Sequence, residues 1–342
     1  MSARASVIPV FVPHLGCPQQ CVFCDQRRIS GQLRPAGAED VHRIVREAGP
    51  PRPGQCRELA FYGGSFTAIP EDRQLELLEA ARQERDRGQI QALRLSTRPD
   101  AVDKTVLDRL RQYGVETIEL GVQSMDDRVL ALSGRGHTAA QARKAAGLVR
   151  ESGFRLILQM MTGLPGDTGA ESLETARELI ELRPDGVRIY PTVILRGTAL
   201  EELWHQGRYH EHSVDDAVAL CARILPLFQE AGIPVIRLGL NPTEDLSGGE
   251  AVGGAYDPAL GERVLSRIWL EKARSLLAAV PPGSRVVLAV PETKLSQAIG
   301  QRRCNLRSLE EEFSLRELRI RPEKNLSSEI SLISVEKSGE IS

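Results

Sequence analysis

Apolar, β-branched runs alternate along the chain with longer segments in which leucine and alanine recur at helical spacing. The predicted strands are residues 6–13, 58–64, 92–99, 117–124, 155–165, 186–194 and 233–240. The predicted helices between them include residues 71–86, 104–114, 138–153 and 172–184. Alternating strands and helices predict parallel strands with crossover helices, and almost continuously apolar strands indicate a sheet covered on both faces. The predicted fold class is α/β, a partial or full parallel (β/α) barrel.

Residues that interrupt the apolar pattern, mainly glycine, proline and polar residues, lie where the predicted strands end. They occupy positions 63–65, 96–98, 123–124, 163–165 and 190–192. In a parallel barrel the active site is built from the loops that follow the strands. The sequence therefore predicts a site at the carboxyl ends of the strands.

A smaller unit is predicted after the barrel. The glycine-rich segment 241–258 has no periodicity, and it is either a flexible linker or a loop folded over the barrel mouth. A helix near 259–279 leads to a strand, two helices and a strand, at 286–290, 292–300, 304–313 and 317–322. The predicted division is a barrel domain, a small C-terminal domain and a loose polar tail, at 1–275, 284–325 and 326–342.

Charge and hydropathy narrow the function classes. With a net charge of −2, the protein as a whole does not attract nucleic acid electrostatically. Any contact with nucleic acid must therefore come from local basic patches. No apolar run reaches the roughly 18 residues of a membrane-spanning helix, and segment 1–13 is too short for a secretory signal. We therefore expect a cytoplasmic protein with no membrane partner, in which clustered cysteines serve metal binding or catalysis.

Three of the six cysteines lie in one short stretch, CPQQCVFC, at Cys17, Cys21 and Cys24. A structural zinc site takes four protein ligands, and no fourth ligand is obvious nearby. Three thiolates fit a catalytic zinc that also binds water, or an iron–sulfur cluster with one open iron. The residues alone leave these alternatives open.

The spacing C-x3-C-x2-C, with Phe23 before the last cysteine, resembles the cluster loop of the radical S-adenosylmethionine (SAM) enzymes. Several segments further resemble the catalytic subunit of Elongator, which modifies the wobble uridine of tRNA; they are 96–100, 118–124, 134–138, 160–168 and 183–209. The resemblance implies a [4Fe–4S] cluster on the three cysteines and reductive cleavage of SAM to a 5′-deoxyadenosyl radical. It also implies a tRNA substrate and an external one-electron donor. Elongator's acetyltransferase domain has no counterpart in this sequence, so the source of any transferred group stays open.

The resemblance also implies roles for individual side chains. It assigns SAM binding to Gly63, Gly64, Ser65, Ser96, Gln123, Arg135 and Gln159. Glycines permit close approach of backbone to a ligand, although the same pair also suits a tight turn. The amide of Gln123 can donate and accept hydrogen bonds, either to a ligand or to a neighbouring loop.

Two further residues are candidates for catalysis. Arg98 can bind a carboxylate or phosphate through two parallel hydrogen bonds, or it can close the barrel rim in a salt bridge. Tyr190 ends a predicted strand, so its phenol can donate a proton or hydrogen atom to a substrate. Its alternative role is to pack the top of the barrel.

In the small unit, the loop from Gly300 to Arg303 joins two helices and resembles the GxxG loop of KH domains, with arginine at the second glycine. A local basic cluster predicts contact with an RNA backbone through Arg302, Arg303 and Arg307. In the alternative, the arginines of this cluster, which also includes Arg316, Arg319, Arg321 and Lys324, pair with Glu310, Glu311, Glu312 and Glu317 on a solvated hairpin.

Three functions remain open on the sequence. The first is a radical SAM enzyme acting on RNA, as the Elongator resemblance implies. The second is a radical SAM enzyme of the coproporphyrinogen oxidase-like branch, acting on a small tetrapyrrole. The third is a non-catalytic RNA-binding protein with a structural metal.

Overall fold

The computed structural model describes residues 6–12, 21–25, 36–52, 54, 56–241, 246–324, 326 and 329–336. The chain divides into two compact units, the first formed by 1–213 and 225–258 and the second by 214–224 and 259–342. Among the helices of the described ranges, none combines the length and apolar character that crossing a membrane requires.

The first unit contains a parallel sheet of seven strands. In spatial order they are β1 (Ser6–Phe11), β2 (Arg57–Tyr62), β3 (Ala92–Thr97), β4 (Val115–Gln123), β5 (Arg155–Thr162), β6 (Gly186–Pro191) and β8 (Val235–Leu238). The order across the sheet follows the chain, as expected when each strand is joined to its neighbour by a crossover connection.

Helices lie between the strands along the chain. They are α1 (Ala38–Glu47), α2 (Glu71–Asp86), α3 (Lys104–Gln112), α4 (Asp127–Leu132), α5 (Ala139–Glu151), α6 (Gly169–Glu181) and α7 (Ala199–His205). Polar residues fix several helix starts. Asp103 accepts a hydrogen bond from the Val106 amide (2.8 Å) before α3, and Thr138 and Gln141 form a capping box at α5.

The sheet is curled into a half-barrel. Arg188 of β6 donates a hydrogen bond from Nη2 to the Tyr62 hydroxyl of β2 across 3.0 Å. In a flat sheet, strands four positions apart would be separated by about 19 Å. Arg188 and Tyr62 therefore lie on the concave face. This result confirms the partial-barrel form of the predicted fold.

The predicted loop 241–258 contains regular secondary structure. Residues Leu246–Glu250 form a π-helical turn, and β9 (Ala251–Gly254) pairs antiparallel with β7 (Val193–Leu195). Leu246 packs in a small apolar cluster with the β7 side chains. The described residues 246–254 thus form a folded segment beside the end of β6 and are not a linker.

The second unit is built around a three-stranded sheet in the order β11–β10–β12. Its elements are α9 (Leu260–Leu277), β10 (Arg285–Pro291), α10 (Leu295–Ile299), α11 (Cys304–Glu312), β11 (Glu317–Glu323) and β12 (Ser331–Glu336). Helix α8 (Val214–Glu230) contributes residues up to Ile224 to this unit. The strand–helix–helix–strand order matches the one expected from the sequence.

The domain limits differ from the predicted ones in two respects. Helix α9 belongs to the second unit, because Leu270, Ala273 and Leu277 pack in the same core as Leu288 and Leu309. Residues 331–336 of the predicted loose tail form β12, which pairs antiparallel with β10. Both differences come from long-range packing and pairing, which composition does not reveal.

Candidate active site

Cys21 and Cys24 lie in a tight turn, in which the Cys24 amide donates to the Cys21 carbonyl (3.1 Å). Cys17 lies outside the described residues. The turn is held by two backbone hydrogen bonds at Val22. Its amide donates to the Ser133 carbonyl (3.1 Å), and its carbonyl accepts from the Leu200 amide (2.8 Å).

The segment that carries the Elongator resemblance supports this turn. Val22 and Phe23 pack against Ile194, Leu200 and Tyr209 in one apolar cluster. Val22 and Phe23 lie between the two cysteines in the chain. Because their side chains are anchored in this cluster, the backbone that carries Cys21 and Cys24 is held in place. The aromatic residue before the last cysteine therefore has a packing role.

Arg135 joins the cysteine turn to the end of β4. Its Nη1 donates to the Cys21 sulfur at 3.4 Å, and its Nη2 donates to the Gly121 carbonyl. A β-carbon at Gly121 would lie 2.9 Å from Arg135 Nη2 and 3.1 Å from Gln123 Nε2, so both side chains pass over this glycine. A predicted metal ligand and two predicted SAM contacts thus meet at one place.

Gln123 reaches this position through an irregular strand end. The pairing register of β4 shifts between Gly121 and Gln123, and Gln123 has a left-handed φ of 69°. A non-glycine residue in this region stores about 1–3 kcal/mol of backbone strain. Such strain is typical of functional sites, where the surrounding structure holds the residue in place.

Arg98 holds the loop that carries Arg135. The Arg98 guanidinium forms two hydrogen bonds to Asp100 (2.9 and 3.0 Å), and its Nη2 also donates to the Arg135 carbonyl (2.7 Å). These are the contacts of the rim salt bridge, the alternative to substrate binding. The catalytic role of Arg98 stays a prediction.

Four buried polar atoms at this end of the barrel have no hydrogen-bond partner among the described residues. They are Arg98 Nη1, Gln123 Oε1, Arg135 Nε and His137 Nδ1. Each unsatisfied buried group costs about 1–3 kcal/mol. Together they supply donors and acceptors for a polar ligand, and SAM, with its amino, carboxylate and hydroxyl groups, has matching chemistry.

His137 is neutral at neutral pH. Burial, and then the charge of Arg135, lowers the pKa of its imidazole to about 4. Its Nε2 lies 3.1 Å from the Val122 carbonyl and donates to it in the neutral tautomer. This contact places Nδ1 as an unprotonated acceptor.

The glycine pair and the serines lie at the ends of β2 and β3. Gly63 has φ of 88°, which favours glycine there. The Ser65 hydroxyl contacts Thr97 Oγ1 (2.9 Å) and accepts from the Arg98 amide (3.1 Å), so it links the two strand ends. Ser96 Oγ lies 3.5 Å from the Phe61 carbonyl and is half-buried.

These features agree with the family comparisons. The model of the Radical SAM superfamily matches residues 11–179, and that of the Radical_SAM C-terminal domain matches residues 184–269. An uncharacterised protein of Methanocaldococcus jannaschii is 31% identical over 231 residues, covering 64% of this chain and 70% of that protein. The chain belongs to the radical SAM superfamily of enzymes. This family implies a [4Fe–4S] cluster and SAM.

Two relatives have functional names. Elongator complex protein 3 of Homo sapiens is 36% identical over 190 residues, covering 50% of this chain and 35% of that protein. The tRNA uridine(34) acetyltransferase of Dehalococcoides mccartyi is 29% identical over 257 residues, covering 64% and 56%. The chain therefore spans about a third to a half of these relatives.

A solved structure shares the fold of this radical SAM protein. The archaeal Elp3 of Methanocaldococcus infernus superposes with a TM-score of 0.59 at 20% identity, covering 84% of this chain and 71% of that one. At this identity the likeness concerns the fold alone.

The concave face of this radical SAM protein carries a group of polar side chains of which the sequence reasoning identified only Gln159. Glu119 of β4 is fully buried and accepts hydrogen bonds from Tyr62 (2.8 Å), Arg94 (2.9 Å), Gln159 (3.0 Å) and Arg188 (3.0 Å). We call these five residues the lumen network. The predicted SAM ligand Gln159 is thus placed against Glu119, and its predicted role remains untested.

The network extends in two directions. Arg94 Nε also donates to Glu58 (2.7 Å), and Glu58 accepts from Arg155 (2.6 Å). At the other side, Tyr190 contacts Arg188 through its hydroxyl. The sequence does contain a signal for this network. Charged residues inside otherwise apolar strands, here Arg94, Glu119 and Arg188, indicate buried ion pairs.

A second missed group surrounds the turn after β5. Asp167 Oδ2 accepts from the Gly163 amide (2.8 Å) and the Ser172 hydroxyl (2.6 Å), while the Tyr209 hydroxyl donates to the Gly163 carbonyl (2.6 Å). Burial raises the pKa of Asp167 to about 6. These contacts hold the turn, with φ of 72° at Gly163.

In the second unit, the three predicted RNA-contacting arginines are exposed. Arg302 and Arg303 both adopt left-handed φ values, 50° and 63°, and Arg307 donates to the Arg302 carbonyl (3.0 Å). Of the glutamates in the alternative pairing, Glu317 pairs with an arginine of the basic cluster, while Glu310 and Glu312 have partners outside it. Glu310 accepts from the Leu318 amide, Glu312 pairs with Arg274 and Glu317 pairs with Arg319.

Proposed function

We propose that this chain is a radical SAM enzyme that modifies RNA, with the wobble uridine of tRNA as its substrate. The observation that carries the proposal is the contact of Arg135 with both Cys21 and the end of β4. It brings together groups suited to a cluster and to a polar cofactor. The name of the Dehalococcoides mccartyi relative supports uridine in tRNA as the substrate.

In this proposal Cys17, Cys21 and Cys24 hold the [4Fe–4S] cluster. The main chain at Gly63 and Gly64 approaches SAM, and the side chains assigned to it are Ser65, Ser96, Gln123, Arg135 and Gln159. When bound and reduced by an external one-electron donor, the cluster and SAM supply a 5′-deoxyadenosyl radical. The protein orients these groups and excludes water and oxygen.

The remaining side chains have distinct tasks. Arg98 positions the Arg135 loop through its hydrogen bond to the Arg135 carbonyl. Tyr190, half-buried at the end of β6, is placed to donate to the substrate from the concave face. Burial raises the pKa of Tyr190, so its phenol stays protonated at neutral pH.

The second unit binds the RNA backbone in this proposal. Arg302, Arg303 and Arg307 are exposed, and their guanidinium groups can contact phosphate oxygens. Glu310 and Glu312 have partners outside the basic cluster, which supports this role.

Air-free reconstitution with iron, sulfide and reductant tests the proposal. We expect 5′-deoxyadenosine from SAM and a new modified nucleoside in tRNA. Cys21→Ala abolishes both, whereas Cys56→Ala, at an exposed cysteine outside the turn, retains both. Turnover of a porphyrinogen and not of tRNA would favour the tetrapyrrole alternative. One zinc per chain without sulfide would favour the non-catalytic alternative.

A further inference from the structure

Two hydrogen-bond donors lie side by side on the concave face of the half-barrel. Arg188 and Tyr190 are separated by one residue on β6, so both side chains project from the same face. Each is half-buried, while the intervening Ile189 is fully buried. The pair is therefore accessible from the concave side.

The guanidinium of Arg188 is held in one orientation. Its Nη2 donates to Glu119 and to the Tyr62 hydroxyl, both at 3.0 Å, and its Nε lies 2.8 Å from the second Glu119 oxygen. Nη2 is therefore engaged by two acceptors, whereas Nε is close to Glu119 but is not aligned to donate a hydrogen bond to it. Nη1 bonds neither Glu119 nor Tyr62, and it is the group that we assign to a ligand.

Glu119 is itself immobilised. Its carboxylate accepts from Tyr62, Arg94 and Gln159, which come from three different strands. A buried carboxylate that accepts several hydrogen bonds is held in one arrangement together with its donors. Arg188 therefore presents its free edge in a pre-organised position, which lowers the entropic cost of binding.

Both groups remain donors over the ordinary pH range. Burial lowers the pKa of Arg188, but the charge of Glu119, the neighbouring tyrosines and the hydrogen bond to Glu119 together raise it by more, so the guanidinium stays charged. Burial raises the pKa of Tyr190 and keeps its phenol protonated. A ligand for this pair must therefore supply an acceptor atom.

We propose that Arg188 and Tyr190 form a subsite for a carbonyl oxygen of the substrate, O2 or O4 of a uracil base. The inference rests on the proposed function, because the base comes from the proposed RNA substrate. The charge of Arg188 is already paired with Glu119. What remains is hydrogen-bonding capacity, which suits a neutral carbonyl better than a phosphate.

Base analogues test the subsite directly. Wild-type protein is compared on three anticodon stem–loop RNAs, which carry uridine, an analogue without O4, or an analogue without O2 at the target position. We expect kcat/KM and the equilibrium affinity of the cofactor-free protein to fall about ten- to one-hundredfold for one analogue. Equal values for all three RNAs would overturn the subsite.

Two variants assign the effect to these residues. Tyr190→Phe removes only the phenol hydroxyl, and Arg188→Met removes the guanidinium. Each is expected to weaken binding of the uridine RNA and to reduce the discrimination between analogues. Tyr113→Phe, which removes a phenol at the C-terminal end of α3, is the matched control and keeps full discrimination. Unchanged discrimination in Tyr190→Phe, which is expected to fold normally, would contradict the assignment.

The design separates this inference from the proposed function. If wild-type protein cleaves SAM but modifies none of the RNAs, the RNA substrate is wrong and the subsite assignment falls with it. If it modifies all three RNAs with equal efficiency, the proposed function stands and only the subsite is overturned.

Discussion

The guanidinium of Arg135 donates a hydrogen bond to the sulfur of Cys21 at 3.4 Å. The two residues lie more than a hundred positions apart in the chain, and the same guanidinium also binds the Gly121 carbonyl at the end of β4. The contact couples the position of the cysteine turn to the end of the strand that carries Gln123. If Cys21 holds a cluster as proposed, a cation at this sulfur would also balance the negative charge of the thiolate ligands.

Arg135→Lys tests this coupling. Lysine keeps the charge but lacks the planar fork that reaches two acceptors at once. We expect formation of 5′-deoxyadenosine to fall by about ten- to one-hundredfold, from the loss of a charged hydrogen bond. Arg128→Lys, at an exposed arginine that bonds the Gly166 carbonyl, is the control and retains activity. Equal activity of the two variants would show that charge alone matters.

Glu119→Gln tests the lumen network. The substitution leaves Arg188 without its buried counter-charge, whereas Arg94 keeps Glu58, and we expect a cost of about 3–5 kcal/mol in free energy of unfolding. Glu178→Gln removes a surface ion pair with Arg143 and costs about 1 kcal/mol or less. Denaturant unfolding of both variants measures the difference, and similar values would mean that solvent screens the interior of the barrel.

Two glycine substitutions are expected to have opposite effects on the free energy of unfolding. Gly163→Ala places a β-carbon 2.2 Å from the His212 ring at φ of 72°, so we expect destabilisation by more than about 1 kcal/mol. Gly147→Ala lies inside α5 with open space around the new methyl group, and it stabilises by about 0.5–1 kcal/mol. Thermal unfolding checks both, and a neutral Gly163→Ala would refute the crowding.

Asp167 makes stability depend on pH. Its pKa is raised to about 6 in the folded state, so folding favours the protonated form. The stabilisation is full below the unfolded pKa of about 4 and is lost as pH rises to about 6, by roughly 3 kcal/mol. Asp167→Asn should remove this slope.

The measurement is the difference between wild-type and Asp167→Asn unfolding free energies from pH 4 to 7. A difference is needed because His137, whose pKa is lowered to about 4, acts in the opposite direction over this range. If the difference in unfolding free energy does not change with pH, Asp167 has the same pKa in the folded and unfolded states.

Arg303→Gly is expected to raise stability and weaken RNA binding. Glycine relieves a left-handed φ of 63°, which stabilises by about 1 kcal/mol. Loss of one phosphate contact lowers the affinity for RNA. It also makes the slope of log affinity against log salt concentration shallower by about one unit. Arg183→Gly, an exposed arginine with φ of 51° in the first unit, is the control. It should gain stability without any change in RNA affinity, and an identical loss of affinity would contradict the loop assignment.

The sequence by itself determined the order of the elements and which residues are candidates for the site. Strand and helix periodicity are local properties, so the parallel strands and the candidate residues at their carboxyl ends were predictable from apolar spacing, glycines and the CPQQCVFC stretch. The resemblance to the radical SAM family, which the family comparison confirms, rests on short motifs that a sequence carries in full.

Only the tertiary structure decided how side chains meet. Arg188 and Tyr62 come together because the sheet curls, and α9 joins the second unit because its apolar face packs on Leu288 and Leu309. Arg98 was a candidate for ligand binding, and its Asp100 and Arg135 contacts became visible only in three dimensions. Such partners depend on long-range packing, and a linear pattern records the type of a residue but not what it touches.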